Sequence, residues 1–479
     1  MRQTADRGRL LLNYWQLVAL LLLTAGPGGI QTSRAEDANP SRVTLETGEL
    51  KLARNGHALQ PVIVGENASE EVRASAEELA RMLSRITGGK FLVKTGDGNS
   101  GIAVGQLGDF PASSTRLPGE PANPARREDY LLLTHTEGML VIGRTPQAVS
   151  HAVWDLLWRI GYRQFFPGET WEVVPHLPDV SLEVFALQQP HYLARRIWYG
   201  FGPWDYAAEP YRQWCLRNRA TSAIELNTGH SYDGILARNR EEFERHPEYL
   251  GLINGERKST KFCISNPGLR KLVVQDALAR MAETPTPDSI SIDPSDGLNW
   301  CECEECQRLG SVSDQAVTLA NTVAEAVQQK YPGRLVGMYA YAGHSPPPSI
   351  DVHPNVVISV ATAFIKGGFT VDQLIEGWQK RKATLGVREY YSVNTWDRDL
   401  PGRSRGSNLE YLARTIPHFH ANGARFLSAE SSDNWGPNGL GYYLAARMLW
   451  NPAEAENLEE LQEDFLQRAF GPAAGPMRE

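Results

Sequence analysis

The sequence predicts an α/β protein in two parts, a small α/β sandwich domain followed by a (β/α)8 TIM barrel. Three observations predict it. From about His191 onward, strand-like and helix-like segments alternate, the pattern of a parallel sheet with helical crossovers. Eight strand candidates fall in that stretch, the number that closes a barrel. One of them opens the run Ser289-Ile-Ser-Ile-Asp293-Pro-Ser-Asp296-Gly-Leu-Asn-Trp300-Cys301-Glu-Cys303-Glu-Glu-Cys306, where a β-branched strand stops at Pro294 and leaves two carboxylates and a cluster of thiols where a loop begins. In α/β barrels the chemistry sits at such strand ends.

Taken in order, the chain opens with Arg2, Arg7 and Arg9, an apolar stretch from Leu10 to Ala25, and a polar segment ending Ser33-Arg-Ala35, with small residues where a signal peptidase reads. This predicts a signal peptide over residues 1–35, cleavage after Ala35, and a secreted or periplasmic protein. A retained membrane anchor is the alternative, although Asn13 and Gln16 interrupt a run already short for a span. Residues 42–180 read as the sandwich domain. Strand-like Pro61-Val-Ile-Val64 leads into a helix from Ser69 to Ile86, with Asn67 and Glu70 as a capping box and Gly88-Gly89 as its stop. Strands follow at Phe91 to Val93, Gly101 to Gly105, Tyr130 to Leu133 and Met139 to Gly143, then a helix from Thr145 to Ile160.

The barrel is assigned to residues 191–479. Its strands are expected at Ala194 to Gly200, Ala223 to Leu226, Phe262 to Ser265, Ser289 to Asp293, Leu335 to Tyr341, Val356 to Val360, Val387 to Val393 and Arg425 to Ala429. Between them, the helix Asp314 to Lys330 places Val317, Ala320, Val323, Ala324 and Val327 on one face, and Tyr331-Pro-Gly333 ends it. Cys215, in Tyr211-Arg-Gln-Trp-Cys-Leu, reads as a buried thiol on a helix. The chain stops at Met477-Arg-Glu479 directly after an amphipathic helix, which predicts a fragment lacking a helical C-terminal region.

Over 479 residues the formal net charge is only −8, and no Lys/Arg block stands out, which argues against nucleic acid or an anionic membrane as partner. The groups converging on the predicted mouth suit an oligosaccharide or glycan instead. Strand one ends in Trp198, strand two in Asn227 and His230, strand five in Tyr339 and Tyr341, strand seven in Asn394, Trp396 and Asp397, and strand eight in Glu430 with Trp435 nearby. Flat aromatic faces stack on pyranose C–H faces, while Asn, Asp and His bind hydroxyl or acetamido groups. Glycosidic cleavage needs one carboxylic acid to protonate the leaving oxygen and a second group as nucleophile, base or stabiliser. Asp293, Asp296, Asp397 and Glu430 are the candidates; Glu430 and Asp296 are preferred because each follows its strand closely. Each also has a plainer reading, Asp296 as a turn residue in Pro-Ser-Asp-Gly and Glu430 as a solvated loop side chain.

Cys263, Cys301, Cys303 and Cys306 admit two readings, a tetrahedral structural zinc or two disulfides, and expected export favours the disulfides. Either way the cluster braces the loop that presents Asp296; a catalytic zinc normally keeps an open position and uses His. No phosphate-binding Gly-rich loop and no serine-hydrolase elbow is found in the sequence, so no cofactor is expected for catalysis.

These residues carry a resemblance. Phe262-Cys-Ile-Ser-Asn-Pro267, Asp293-Pro-Ser-Asp296-Gly with its three cysteines, Tyr339-Ala-Tyr341, and Glu430 through Leu449-Trp-Asn-Pro452 together resemble the domain of unknown function family 4838. Part of that family is classed as glycoside hydrolase family 163, retaining endo-β-N-acetylglucosaminidases acting on N-glycans. Residues 42–180 look like the small domain found ahead of the barrel in family 20 hexosaminidases and α-glucuronidases. The resemblance implies a glycosidase, in which the substrate's own acetamido group often serves as nucleophile. The adjacent Asp-Glu pair typical of family 20 is not found at a strand end here. From their positions after their strands, Glu430 is expected as acid/base and Asp296 as assisting carboxylate. An α-glucuronidase, with Arg195 and Arg196 binding a uronate, and a non-catalytic carbohydrate-binding protein are the alternatives.

Overall fold

In the computed structural model the described residues are 48–110, 117, 123–199, 205–398 and 400–478. The signal peptide expected over residues 1–35 lies outside them. No helix among the described residues is long and apolar enough to cross a membrane.

The first layer is a six-stranded mixed sheet of β1 (Val62–Val64), β2 (Val93–Thr95), β3 (Gly101–Gln106), β4 (Tyr130–His135), β5 (Gly138–Gly143) and β6 (Phe185–Gln188), in the order β6-β4-β5-β3-β1-β2. Helices α1 (Glu70–Thr87) and α2 (Pro146–Ile160) cover one face. The cap of α1 is Ser69, whose hydroxyl accepts from the Val72 N–H, and not the Asn67 expected from the sequence. Gly88 adopts φ 79° and closes the helix, a left-handed conformation that glycine enters without a Cβ penalty.

The second layer is a curled, wholly parallel sheet. It comprises β7 (Ala194–Tyr199), β10 (Ser289–Ser291), β11 (Leu335–Ala342), β12 (Val356–Ile365), β13 (Thr384–Tyr390) and β14 (Ala424–Ser431), in the order β7-β14-β13-β12-β11-β10. First and last strands pair, as in a barrel, but only six of the eight expected strands join. Phe262, expected to open the third, instead ends an antiparallel hairpin of β8 (Leu250–Ile253) and β9 (Glu256–Phe262). The second, Ala223 to Leu226, forms no ladder. Its segment is held against β10 by side chains: Ser289 Oγ accepts from Asn227 N (2.7 Å) and donates to Glu225 O (2.8 Å), and Ser291 Oγ donates to Gly229 O (2.5 Å). One parallel bridge, His230 to Asp293, completes the contact. The segment lies inside the curl, because a Cβ on Gly337 of β11 would overlap the Asn227 carbonyl.

Alternation along these strands sorts the side chains by face. Ile197, Ile290, Met338, Ile358, Val360, Val387, Leu427 and Ala429 point outward into the main core. That core takes in the crossover helices α4 (Pro267–Met281), α5 (Val312–Lys330), α6 (Val371–Lys380) and α7 (Leu409–Ala421), and also α8 (Trp435–Trp450); α3 (Asp205–Arg217), which adds Trp214 to it, precedes them in the chain. Each buried Val, Leu, Ile or Met side chain of this core contributes roughly 1.5–3 kcal/mol. On the concave face Ala194, Ile224, Val357 and Phe426 form an apolar plug at the N-terminal end, and polar and aromatic residues occupy the C-terminal end.

Arg195 is drawn away from the concave face. Buried, it pairs with Glu128 of the first layer (2.5 Å), tying the two sheets together, so of the Arg195–Arg196 pair only Arg196 shares the face of Trp198.

Candidate active site

A cavity of about 320 Å³ opens at the C-terminal ends of the parallel strands, lined by His230, Tyr339, Tyr341, Phe364, Arg388, Tyr390, Val393, Thr395, Trp396 and Glu430. Three strands deliver their residues by parity. Tyr339 and Tyr341 come from β11, Arg388 and Tyr390 from β13, and Glu430 from β14, where it stands in register with Trp198 on one side and Tyr390 on the other. Glu430 is the one carboxylate among the described lining residues. Arg388 Nη2 donates to Glu430 Oε2 at 2.5 Å, a charge-assisted bond that fixes the carboxylate's direction. The guanidinium packs over Trp198 (4.5 Å), Tyr390 (5.1 Å) and Tyr339 (5.7 Å), while its Nη1 makes no hydrogen bond among the described residues.

The opposite wall carries His230. Its Nδ1 lies 2.6 Å from Asp293 Oδ2 and 2.7 Å from the Pro294 carbonyl, two acceptors that make Nδ1 the protonated nitrogen. Burial pulls the imidazole down, but the hydrogen bond and charge of Asp293, with the Pro294 carbonyl, outweigh it and hold His230 above its ordinary value. Asp293 is fully buried, its other oxygen accepting from Tyr339 N at 2.8 Å, so it meets the cavity through His230.

Asp296 sits on the exposed loop after Pro294, outside the lining residues. It reaches them through Tyr341, whose hydroxyl is pushed up to about 12 by burial and then by the nearby Asp296 charge. Lys261, buried beneath this loop, donates to the carbonyls of Ser295 (2.6 Å) and Asp296 (2.9 Å).

The remaining predicted residues are dispersed. Trp396 stands half exposed at the rim, 5.4 Å from Phe364 and 5.2 Å from Tyr390. Trp198 lies beneath Arg388 and lines a separate, mostly apolar cavity of about 450 Å³. Asn227 closes its own turn by accepting from Gly229 N (3.2 Å), and Asp397 accepts from Val393 N (3.0 Å) and Ser392 Oγ (3.2 Å). Trp435 starts α8 and packs on Trp214 (4.9 Å) and Tyr442 (5.2 Å), away from the cavity. The Asn394 side chain lies outside the described residues.

Sequence reading misses Arg388, Phe364, Tyr390, Val393 and Thr395. Parity is the usable signal for two of them, since Arg388 and Tyr390 share a face of the predicted strand Val387 to Val393. Phe364 lies beyond the expected strand end at Val360, because β12 runs on to Ile365. Its φ of 58° is a conformation a bulky residue rarely adopts, and strain of that kind concentrates at functional sites.

Beside the Asp296 loop, the Sγ atoms of Cys263, Cys301, Cys303 and Cys306 lie within 4.8 Å of one another. All are free thiols, with Sγ–Sγ separations of 3.5 Å (Cys301–Cys303), 3.6 Å (Cys263–Cys303) and 3.9 Å (Cys263–Cys306).

Residues 166–479 match the family model described as domain of unknown function (DUF4838). No curated protein matches the sequence. Among solved structures, the fold is similar to that of a family GH115 4-O-methyl-α-glucuronidase with specificity for decorated arabinogalactans. The TM-score is 0.56 at 14% identity, covering 90% of this chain and 61% of that one. CpGH84B matches with a TM-score of 0.48 at 12% identity, over 92% and 76% of the two chains. This chain thus spans less than two thirds of the glucuronidase, and the likeness to it is one of fold.

Proposed function

The chain belongs to the family of domain of unknown function 4838, and from that premise and the geometry of its cavity we propose that it is a secreted glycoside hydrolase acting on glycans. The observation that carries this reading is Glu430, a carboxylate at the C-terminal end of a parallel strand, aimed into a cavity walled by Tyr339, Tyr341, Phe364, Tyr390 and Trp396. Aromatic faces of that kind hold pyranose rings, and the carboxylate is the group that glycosidic cleavage requires.

In this reading Glu430 moves the proton at the glycosidic oxygen, with Arg388 setting its orientation. Asp296, acting across the Tyr341 hydroxyl, is the assisting carboxylate that favours positive charge at the anomeric carbon or orients an acetamido group. Asp293 is a positioning residue, holding His230 so that Nε2 meets a sugar hydroxyl. The finer reading, a retaining endo-β-N-acetylglucosaminidase, rests on the sequence resemblance to family 163. One observation favours a second reading: the Arg388 guanidinium lines the cavity and would suit the carboxylate of a uronic acid.

The test is a panel of N-glycans, β-N-acetylglucosaminides and glucuronate-bearing oligosaccharides incubated with the full chain, with products followed by mass spectrometry. Release of N-acetylglucosamine-ended fragments is expected. Release confined to glucuronate moves the assignment to the second reading, and binding without release from any glycan overturns hydrolysis.

A further inference from the structure

We propose that Cys263, Cys301, Cys303 and Cys306 bind one zinc ion as four thiolates, a closed structural site that locks the hairpin β8–β9 to the loop carrying Asp296. The argument is geometric and independent of the glycosidase reading. Tetrahedral zinc with Zn–S bonds of about 2.3 Å sets its sulfurs about 3.8 Å apart. The separations of 3.5, 3.6 and 3.9 Å surround that value, and all four sulfurs lie within 4.8 Å of one another. A bonded pair would stand at about 2.05 Å.

The surroundings are those of thiolates. Backbone N–H groups of Leu252, Ser265 and Cys306 donate to the sulfurs of Cys301 (3.3 Å), Cys306 (3.4 Å) and Cys303 (3.4 Å). The donation from Cys306 N to Cys303 Sγ is the turn that a C-x-x-C pair makes around a metal, aiming both sulfurs at one point. Three of the four cysteines are almost wholly buried, and the Ser265 hydroxyl lies against the sulfurs of Cys263 (3.6 Å), Cys303 (3.7 Å) and Cys306 (3.2 Å). Four neutral thiols packed this way would leave N–H donors facing weak acceptors.

Zinc bound here takes four sulfurs and keeps no open position, so it supplies no Lewis acid to the cavity. Its place explains the arrangement of the chain. Cys263 follows β9, which delivers Lys261 to the carbonyls of Ser295 and Asp296, and Cys301 follows Trp300 at the far end of the same loop. The metal joins these two ends.

Elemental analysis of the full chain, purified without added metal and dialysed against metal-free buffer, tests the assignment. One zinc per chain is expected, with sulfur-only coordination in X-ray absorption. Displacement of the metal by an organomercurial should release that zinc and consume the four thiols together. Cys263→Ser should lose at least about nine tenths of the metal, whereas Cys215→Ser, on α3, should keep it. Because a cysteine variant can fail to fold, the organomercurial titration of the unaltered chain stands by itself. A mass lower by two disulfides, iron in place of zinc, or a metal content far below stoichiometric would each overturn the proposal.

Discussion

The two walls of the cavity are held by different physics. One wall, β11 to β14, is a continuous parallel sheet with register shifts at Ala340–Ala342 and Leu385–Gly386, in which β11, β13 and β14 deliver alternate residues inward: Tyr339 and Tyr341, then Arg388 and Tyr390, then Glu430. The other wall, residues 223–306, carries His230, Asp293 and Asp296, yet only Ser289–Ser291 joins the sheet. Serine hydroxyls, Lys261 and the four cysteines do there what a ladder does opposite. A ladder fixes side-chain direction by register alone, whereas the clasped wall fixes it through particular side chains and is therefore the easier one to break with single changes.

Gly337→Ala is expected to cost the most, because the new Cβ drives the Asn227 backbone off β11; about 1–3 kcal/mol is the usual penalty for such overpacking. Thermal unfolding measures it, and an unchanged midpoint would show that segment 223–230 does not press on the ladder. Ser289→Ala removes the hydroxyl that both receives from Asn227 N and gives to Glu225 O, at an expected cost of about 1–2 kcal/mol. The smallest expected effect is electrostatic. His230 is held above its ordinary value by Asp293, so the pair's stabilisation is complete below the unfolded value of about 6.5 and is lost as pH rises through the raised folded value. Asp293→Asn should lower the His230 titration midpoint in NMR, and its stability deficit should be larger near pH 6 than near pH 9. A midpoint that does not move would detach Asp293 from His230.

The same contrast explains what can be read from the sequence. The ladder wall is legible because period-2 alternation is local: the expected strands at Leu335, Val356, Val387 and Arg425 fall within a few residues of their true bounds, and Tyr339, Tyr341 and Glu430 with them. Arg388 escapes notice because, beside Glu389 in the same strand, it reads as one of a local pair of charges, and its partner Glu430 lies 42 residues on. The clasped wall reads as two further strands, since Ala223 to Leu226 and Phe262 to Ser265 have strand-like composition while their partners are serine and cysteine side chains distant in sequence. Trp435 is drawn to the expected mouth by its nearness to Glu430, but α8 begins at that residue and turns the ring onto Trp214.

The most direct measurement compares turnover of the best glycan substrate by the unaltered chain and by Glu430→Gln at matched thermal stability. Hydrolysis through this cavity predicts a loss of about 10²- to 10⁴-fold with substrate binding retained. Equal turnover by the two proteins would contradict it.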